Sequence, residues 1–261
     1  MAEQSASGAI YPYSPYCGAP PAPGALWARW NLDPFLLIAV ALVLCVALVR
    51  RAPPGRRAAF LAGWAVASLA LVSPLCPLSV ALFSARVGQH MILTSLAAPL
   101  IAFGLGGRSR QAASGAAPIL AALAYALALW VWHSPTPYLA TFTSDAAYWL
   151  MHLTTFGAAL WLWWEVFGAW GERLGAAGAA ILLTILQMGL LGAVITFAER
   201  PLYAPHLLTA PAWGLSALAD QQLGGVIMWV PAGVILAAAL AAGFRAALRR
   251  AEARAFSRSA A

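Results

Sequence analysis

Histidine and methionine side chains occupy a few defined places in a chain that is otherwise poor in polar residues. The histidines of the sequence are His90, His133, His152 and His206. Met91 and Met151 are the direct neighbours of two of them. Imidazole and thioether groups suit copper, and a thioether favours Cu(I) in particular. These residues are therefore candidate copper ligands.

Carboxylates accompany the histidines. Asp145, Tyr148 and His152 follow one another at i, i+3 and i+7, so they share one helical face. Asp220 opens the last apolar run of the chain. Each candidate also has a structural interpretation, because histidines at helix ends commonly bond to carbonyls or water, and methionines commonly pack in cores. For His206, which lies between two apolar runs, the structural interpretation is favoured.

The amino-acid composition indicates the class of protein to which these residues belong. Hydrophobic residues make up 62% of the 261 positions, charged residues only 9%, and the mean hydropathy is +0.79. Soluble domains contain roughly 25% charged residues, and one water-soluble core could not hide this much apolar surface. The composition excludes a soluble enzyme, a nucleic-acid module and a disordered scaffold, and it predicts a polytopic membrane protein.

Long apolar runs without period-2 alternation predict membrane-spanning helices rather than strands. The predicted spans are Pro34–Val49, Ala58–Leu75, Gly88–Gly104, Ala117–His133, Ala146–Phe167, Gly175–Phe197 and Asp220–Phe244. The expected fold is all-α, a bundle of seven transmembrane helices over residues 34–244. Residues 1–33 form an extracytoplasmic tail in this interpretation, and residues 245–261 form a basic cytoplasmic tail.

The arginines predict the orientation. The chain has 15 basic residues, all of them arginine. If the chain crosses the membrane seven times, twelve of them lie on the same side of the membrane as the C-terminus. By the positive-inside rule, the C-terminus is cytoplasmic and the N-terminus lies outside. All four histidines then lie near the outer face. The basic charge sits beside the spans, which favours anionic lipid over nucleic acid as its partner.

Cysteine usage and missing motifs limit the chemistry further. Cys17 and Cys76 both face the outer, oxidising side, where they could form a disulfide or a thiolate metal site. The sequence contains no P-loop, no GxSxG elbow, no HExxH and no CxxCH. Without a nucleophile–base pair, the motifs predict no enzyme.

Several segments resemble the polytopic CtaG family of cytochrome c oxidase (caa-type) assembly factors. QHM and AAPL in the third span and DQQLGG followed by MW in the seventh are the most specific. The similar segments are Ser73–Gly104, Trp130–Tyr138, His152–Trp164, Glu199–His206 and Asp220–Gly233. The resemblance implies a multi-pass protein of the bacterial inner (plasma) membrane. It also implies a role in maturing the haem–copper catalytic subunit, with copper as the group handled.

The resemblance carries over to particular residues, which are Gln89, His90, Met91, His152, Asp220 and Gln221. Many family members have a histidine four residues before the QHM histidine, where this chain has Arg86. A His-x3-His pair is therefore not available on the third span. We expect instead a copper site shared between spans 3, 4 and 5. Its candidate metal ligands are His90, His133, His152, Met91, Met151 and Asp220.

The main hypothesis is an assembly factor that helps copper enter the oxidase catalytic subunit. Its expected partners are that subunit, membrane lipids and other copper chaperones, with no nucleic acid. Three alternatives remain open: a transporter of copper or another small solute, a haem-binding electron carrier, and an interaction scaffold without metal. Each assigns the outer histidines a different role.

Overall fold

The computed structural model describes residues 11–106, 115–170 and 173–259. Throughout these residues the secondary structure is helical, without strands. The predicted all-α class is thus confirmed for the described part of the chain. Arg108 and Arg110, which contribute to the charge asymmetry, and the first ten residues of the N-terminal tail lie outside it.

Each predicted span falls on a long helical segment. The α-helices are α1 Pro34–Val49, α2 Pro54–Val72, α3 Leu75–Ala81, α4 Phe83–Met91, α5 Ala98–Leu105, α6 Ala117–Trp132, α7 Pro135–Ala140, α8 Asp145–Ala169, α9 Leu174–Thr196 and α10 Ala217–Ser259. A π-helical segment, Ile92–Ala97, joins α4 to α5. Short 3-10 helices occupy Pro23–Ala28, Ala204–Leu207 and Ala210–Trp213.

Among the described residues, four segments are long and apolar enough to cross a membrane. They are Pro54–Val72, Phe83–Leu105, Leu174–Thr196 and Ala217–Arg250. Helices α1 and α6 are apolar but shorter, with 16 residues each. The last helix continues without a break from Ala217 to Ser259, beyond the Phe244 that ends the predicted seventh span.

A π-helical segment follows directly after His90 and Met91. Pro99, at the start of α5, has no N–H to donate, so a regular α-helix could not continue through it without losing a hydrogen bond. The wider π turn absorbs this defect, and side chains bond to the carbonyls around it. Thr94 donates to the His90 carbonyl at 2.8 Å, and Trp163 Nε1 donates to the Thr94 carbonyl at 3.0 Å. The end of α4 is thereby tied to α8.

Helix α8 begins at a capped turn and presents one buried stripe. The Ser144 hydroxyl accepts from the Ala147 N–H at 3.3 Å, and Asp145 occupies the first turn, where the helix dipole favours a negative charge. The buried residues that follow at helical spacing are Tyr148, Met151, His152, Thr155, Ala159 and Leu162. This periodicity turns His152 towards the bundle interior.

Two glycines, Gly224 and Gly225, allow α10 to approach two neighbours closely. A Cβ at Gly225 would lie 2.8 Å from the Gly192 carbonyl of α9, and one at Gly224 would overlap the Phe83 ring. Substitution at either position would therefore push α10 away from α9 or α4. This close packing brings Asp220 to the first turn of α4.

Candidate metal centre

Three helices bring three of the predicted ligands together. His90 comes from the end of α4, His133 directly follows α6, and His152 lies two turns into α8. The ring centres of His90 and His152 are 5.2 Å apart, and those of His90 and His133 are 6.4 Å apart. All three side chains are buried. The histidines of spans 3, 4 and 5 thus lie next to one another.

Backbone carbonyls fix the orientation of two of the rings. His133 Nδ1 lies 2.8 Å from the Leu129 carbonyl oxygen, and His152 Nδ1 lies 3.1 Å from that of Tyr148. A carbonyl only accepts, so Nδ1 carries the proton in each neutral ring, and Nε2 keeps its lone pair. A second hydrogen bond of this kind typically sets the tautomer of a metal-binding histidine.

Two imidazole nitrogens are among the buried side-chain atoms that have no hydrogen-bond partner within the described residues. His90 Nε2 and His152 Nε2 are both buried, and neither bonds to any group in the described part of the chain. Buried polar atoms are rarely unpaired, so each such atom needs a physical explanation. A pair of nitrogen donors on neighbouring rings fits the chemistry of a copper ion.

The histidine pair is not extended by other strong ligands. Within residues 11–106, 115–170 and 173–259, no group of three or more histidine, cysteine, aspartate or glutamate side chains is placed to hold a metal ion. The arrangement is therefore a two-imidazole site with His133 beside it. A third ligand would have to come from a thioether, from water or from another protein.

The two methionines both pack in the main hydrophobic core. Met151 Sδ is also 3.6 Å from Arg86 Nη2, which donates to it. The structure thus gives both side chains a packing role, and it gives Met151 a polar partner from α4.

Arg86 lies one turn before His90 and is buried at 2% exposure. Its guanidinium carbon is 4.5 Å from the Phe142 ring centre and 4.9 Å from that of Tyr138. Its Nη2 also donates to the Thr141 hydroxyl at 2.6 Å. The aromatic faces stabilise the charge without a carboxylate. No ion pair to Arg86 occurs among the described residues, so its charge is stabilised by these rings and by the Thr141 hydroxyl.

Asp220 holds the start of α4. One carboxylate oxygen accepts from the Phe83 N–H at 2.6 Å, and the other accepts from the Ser84 N–H at 3.1 Å and from the Ser84 hydroxyl. The N-cap residue Leu82 has no side chain able to bond to these first-turn donors. Asp220 supplies the missing cap from α10. Asp220, a predicted metal ligand, therefore caps the start of α4, whereas His90 lies at the end of that helix.

The two glutamines of the resemblance bond to backbone groups. Gln89 Nε2 donates to the Ala70 carbonyl at 2.7 Å, which joins α4 to the end of α2. Gln221 Oε1 accepts from the Leu202 N–H at 2.6 Å, and this bond fixes the loop before α10. Both residues position elements around the histidines.

His206 lies apart from the histidine pair, in the loop between α9 and α10. Its Nδ1 is 3.3 Å from the Ala81 carbonyl, and its Nε2 is 2.6 Å from the Tyr138 hydroxyl. Burial and the charge of Arg86 lower the pKa of His206 to about 3. A neutral ring with both nitrogens bonded matches its predicted structural role.

The N-terminal tail covers the histidines, which the sequence does not reveal. Cys17 and Cys76 form a disulfide, not a thiolate metal site. Tyr16 stacks on Tyr148 with ring centres 4.8 Å apart, and Tyr148 lies 4.3 Å from His152. The sequence signals for this packing are Cys17 and the aromatic residues of the tail, including Tyr11 and Tyr13.

The fold and the site define an all-helical protein with apolar, membrane-length helices around a buried histidine pair. The family model described as cytochrome c oxidase caa3 assembly factor (Caa3_CtaG) matches residues 39–250. The chain therefore belongs to this family of assembly factors, and the predicted resemblance is confirmed. No curated protein and no solved structure matches the chain significantly.

Proposed function

We propose that this assembly factor binds copper at its histidine pair and presents it to the haem–copper catalytic subunit of the oxidase. The observation that carries the proposal is the pair of unbonded, buried nitrogens, His90 Nε2 and His152 Nε2. Imidazole nitrogens bind first-row ions at about 2.0 Å, so two rings on one ion have centres roughly 5–6 Å apart. The 5.2 Å separation is compatible with a shared ion.

The low number of ligands fits a site that passes copper on rather than one that stores it. Two neutral imidazoles with Arg86 one turn away would hold a cation less firmly than a site closed by carboxylates or thiolates. Copper would be the cargo of this protein, to be passed on to stronger ligands of the oxidase. The chain's own contribution is to orient the rings, to keep them neutral and to limit access through its N-terminal tail.

The proposed setting is a bundle of seven transmembrane helices in the bacterial inner membrane, with the N-terminus outside and no catalytic role. The all-helical fold, its four apolar segments of membrane length and the arginine-rich loop between α1 and α2 support this arrangement. The histidine pair would then lie near the outer face, at a depth suited to an oxidase centre embedded in the membrane.

The test combines a double substitution with a matched histidine control. We expect His90→Gln with His152→Gln to abolish Cu(I) binding by the purified protein in competition with a chromophoric chelator. Oxidase from cells carrying this variant should retain haem and lack copper at its catalytic centre. His206→Gln, which can keep both bonds of His206, should leave copper binding and oxidase unchanged.

Other outcomes would assign the protein a different role. Normal copper content of the oxidase in the double variant, with the variant present in the membrane, would overturn the copper proposal. Loss of the whole catalytic subunit in cells lacking the protein, while the double variant restores it, would support a metal-free scaffold.

A further inference from the structure

A second candidate site lies at the other end of α2 from the histidines. The helix has 19 residues and spans roughly 28 Å, with Ala70 near α4 at one end and Arg56 and Arg57 at the other. A cavity of about 600 Å³ opens there between α1, α2, α5 and α8. It shares no residue with the histidine cluster.

The walls and the mouth of this cavity differ in chemistry. Its apolar wall includes Leu42, Val46, Ala47, Phe60, Leu105 and Trp164. The polar part consists of arginines from the end of α1 and the start of α2, which are Arg50, Arg51, Arg56 and Arg57. The lining contains no acidic residue. An apolar slot with a cationic mouth suits an amphiphile whose negative group lies next to a hydrocarbon chain.

The arginines are free to bind an anion. All four are exposed, and none forms an ion pair with a carboxylate in the described part of the chain. Arg57 Nη2 donates to the Leu48 carbonyl at 3.1 Å, which holds its side chain against the end of α1. The α2 N-terminus, where no side chain caps the first N–H groups, adds partial positive charge at the same mouth.

Helix α1 leaves one side of the cavity open. Of its 16 residues, only Leu36 and Ala47 are buried, and α2 is the helix on which it mainly packs. Trp64 Nε1 donates to the Val40 carbonyl at 3.1 Å, which anchors the middle of α1 to α2. Below this anchor, residues of both helices line the cavity, which has room for a hydrocarbon chain.

We propose that this cavity binds one anionic glycerophospholipid, with an acyl chain between α1 and α5 and the phosphate on the arginines. The charge complementarity identifies the ligand as anionic, and the apolar wall distinguishes a lipid from free phosphate. Basic pockets between transmembrane helices bind acidic lipid headgroups in this way. The bound lipid would join α1 to the rest of the bundle.

The binding experiment uses the full-length protein purified in a non-ionic detergent. Phosphatidylglycerol and phosphatidylcholine with identical acyl chains are titrated, and bound lipid is counted by native mass spectrometry. We expect phosphatidylglycerol to bind at least tenfold more tightly and to raise the unfolding temperature. Equal binding of the two lipids would overturn the proposal.

Substitutions test the two halves of the site separately. Arg51→Gln with Arg56→Gln should weaken phosphatidylglycerol binding about tenfold or more. The matched control, Arg245→Gln with Arg249→Gln, removes the same charge from α10 and should leave it unchanged. An equal loss in both variants would mean unspecific attraction to a basic protein and would contradict the site.

The apolar half has its own steric test. Ala47→Trp should fill the cavity and displace the lipid without changing any charge, whereas Ala41→Trp, at an exposed position of the same helix, should not. Inorganic phosphate should compete poorly with phosphatidylglycerol. If phosphate competes as well as the lipid, or if Ala47→Trp binds normally, the cavity does not hold an acyl chain.

Discussion

The two ends of the helical bundle treat their polar side chains in opposite ways. At the histidine end (His90, His133, His152 and His206), the polar groups are buried and mostly bonded to one another or to the backbone. At the arginine end (Arg50, Arg51, Arg56 and Arg57), the charged groups are exposed around an apolar cavity. The fold fixes the positions of the side chains at the histidine end, whereas the charged side chains of the arginine end are exposed to the surroundings.

The difference follows from what holds each end together. A disulfide, a helix cap from α10 and side-chain bonds between α4 and α8 connect the elements of the histidine end. Such a network holds the side chains of this end in fixed positions, and a preorganised site binds any ligand at a lower entropic cost. Among the described residues, the arginine end is linked by the bond from Arg57 to the Leu48 carbonyl, and its four arginines stay exposed.

The largest effect is expected from removal of the α4 cap. Asp220→Ala would leave two backbone N–H groups and the Ser84 hydroxyl without their acceptor in a buried place. Such unpaired groups cost about 1–3 kcal/mol each, so we expect a loss of about 3–5 kcal/mol in the free energy of unfolding. Thermal unfolding in detergent measures it.

A control at the arginine end sharpens this comparison. Arg57→Gln removes an exposed side-chain bond and should change the free energy of unfolding by no more than about 0.5 kcal/mol. Comparable losses for Asp220→Ala and Arg57→Gln would contradict the claim that a buried network stabilises the histidine end.

The disulfide should have the next largest effect. Cys17 and Cys76 are 59 residues apart, and closing a loop of this size stabilises a protein by about 2–4 kcal/mol. We expect Cys17→Ser with Cys76→Ser to lower the unfolding temperature and to make the tail sensitive to protease. Limited proteolysis followed by mass spectrometry locates the cuts.

The exposed cysteine of α1 provides the control for this experiment. Cys45→Ser should leave both the unfolding temperature and the protease pattern unchanged. If reductant has no effect on the wild type while the double variant unfolds early, the lost stability comes from packing of the two side chains and not from the bond.

A smaller effect is expected from acid at the histidine end. Burial and Arg86 lower the pKa of His206 to about 3 in the folded protein. In the unfolded chain this histidine is protonated near pH 6.5, whereas in the folded protein it stays neutral at that pH. Stability from this group is therefore present above pH 6.5 and is lost as the pH falls towards 3. The loss between pH 7 and pH 5 should be about 2 kcal/mol.

Comparison of two variants isolates this contribution. His206→Gln cannot take up the proton, so its free energy of unfolding should fall less steeply with acid than that of the wild type. Parallel pH curves for the two proteins would show that His206 is protonated normally in the folded state.

Much of the fold could be predicted from periodicity and composition. Apolar runs predicted most of the long helices within a few residues. Two details could not be read from the sequence. The π segment after Met91 depends on Pro99, which lacks an N–H group, and on contacts with α8. The last helix also continues past the apolar run into the charged residues that follow Phe244.

The candidate site was predictable only in part. Histidines on three spans suggested a common location, and they do meet. Asp220 and Met151 had the residue types of ligands, but the first bonds to α4 and the second to Arg86. A carboxylate suits both a metal and a helix N-terminus, so only its neighbours in space distinguish the two roles.

The sequence by itself determined that the protein is helical, apolar and a member of an oxidase assembly family, because composition and local motifs are properties of single segments. The tertiary structure decided which imidazole nitrogens remain unbonded, what covers them and where an apolar cavity meets arginines. These features depend on contacts between residues far apart in the chain, such as Cys17 with Cys76 and His90 with His152. No local pattern specifies such contacts, since they arise only when the helices pack.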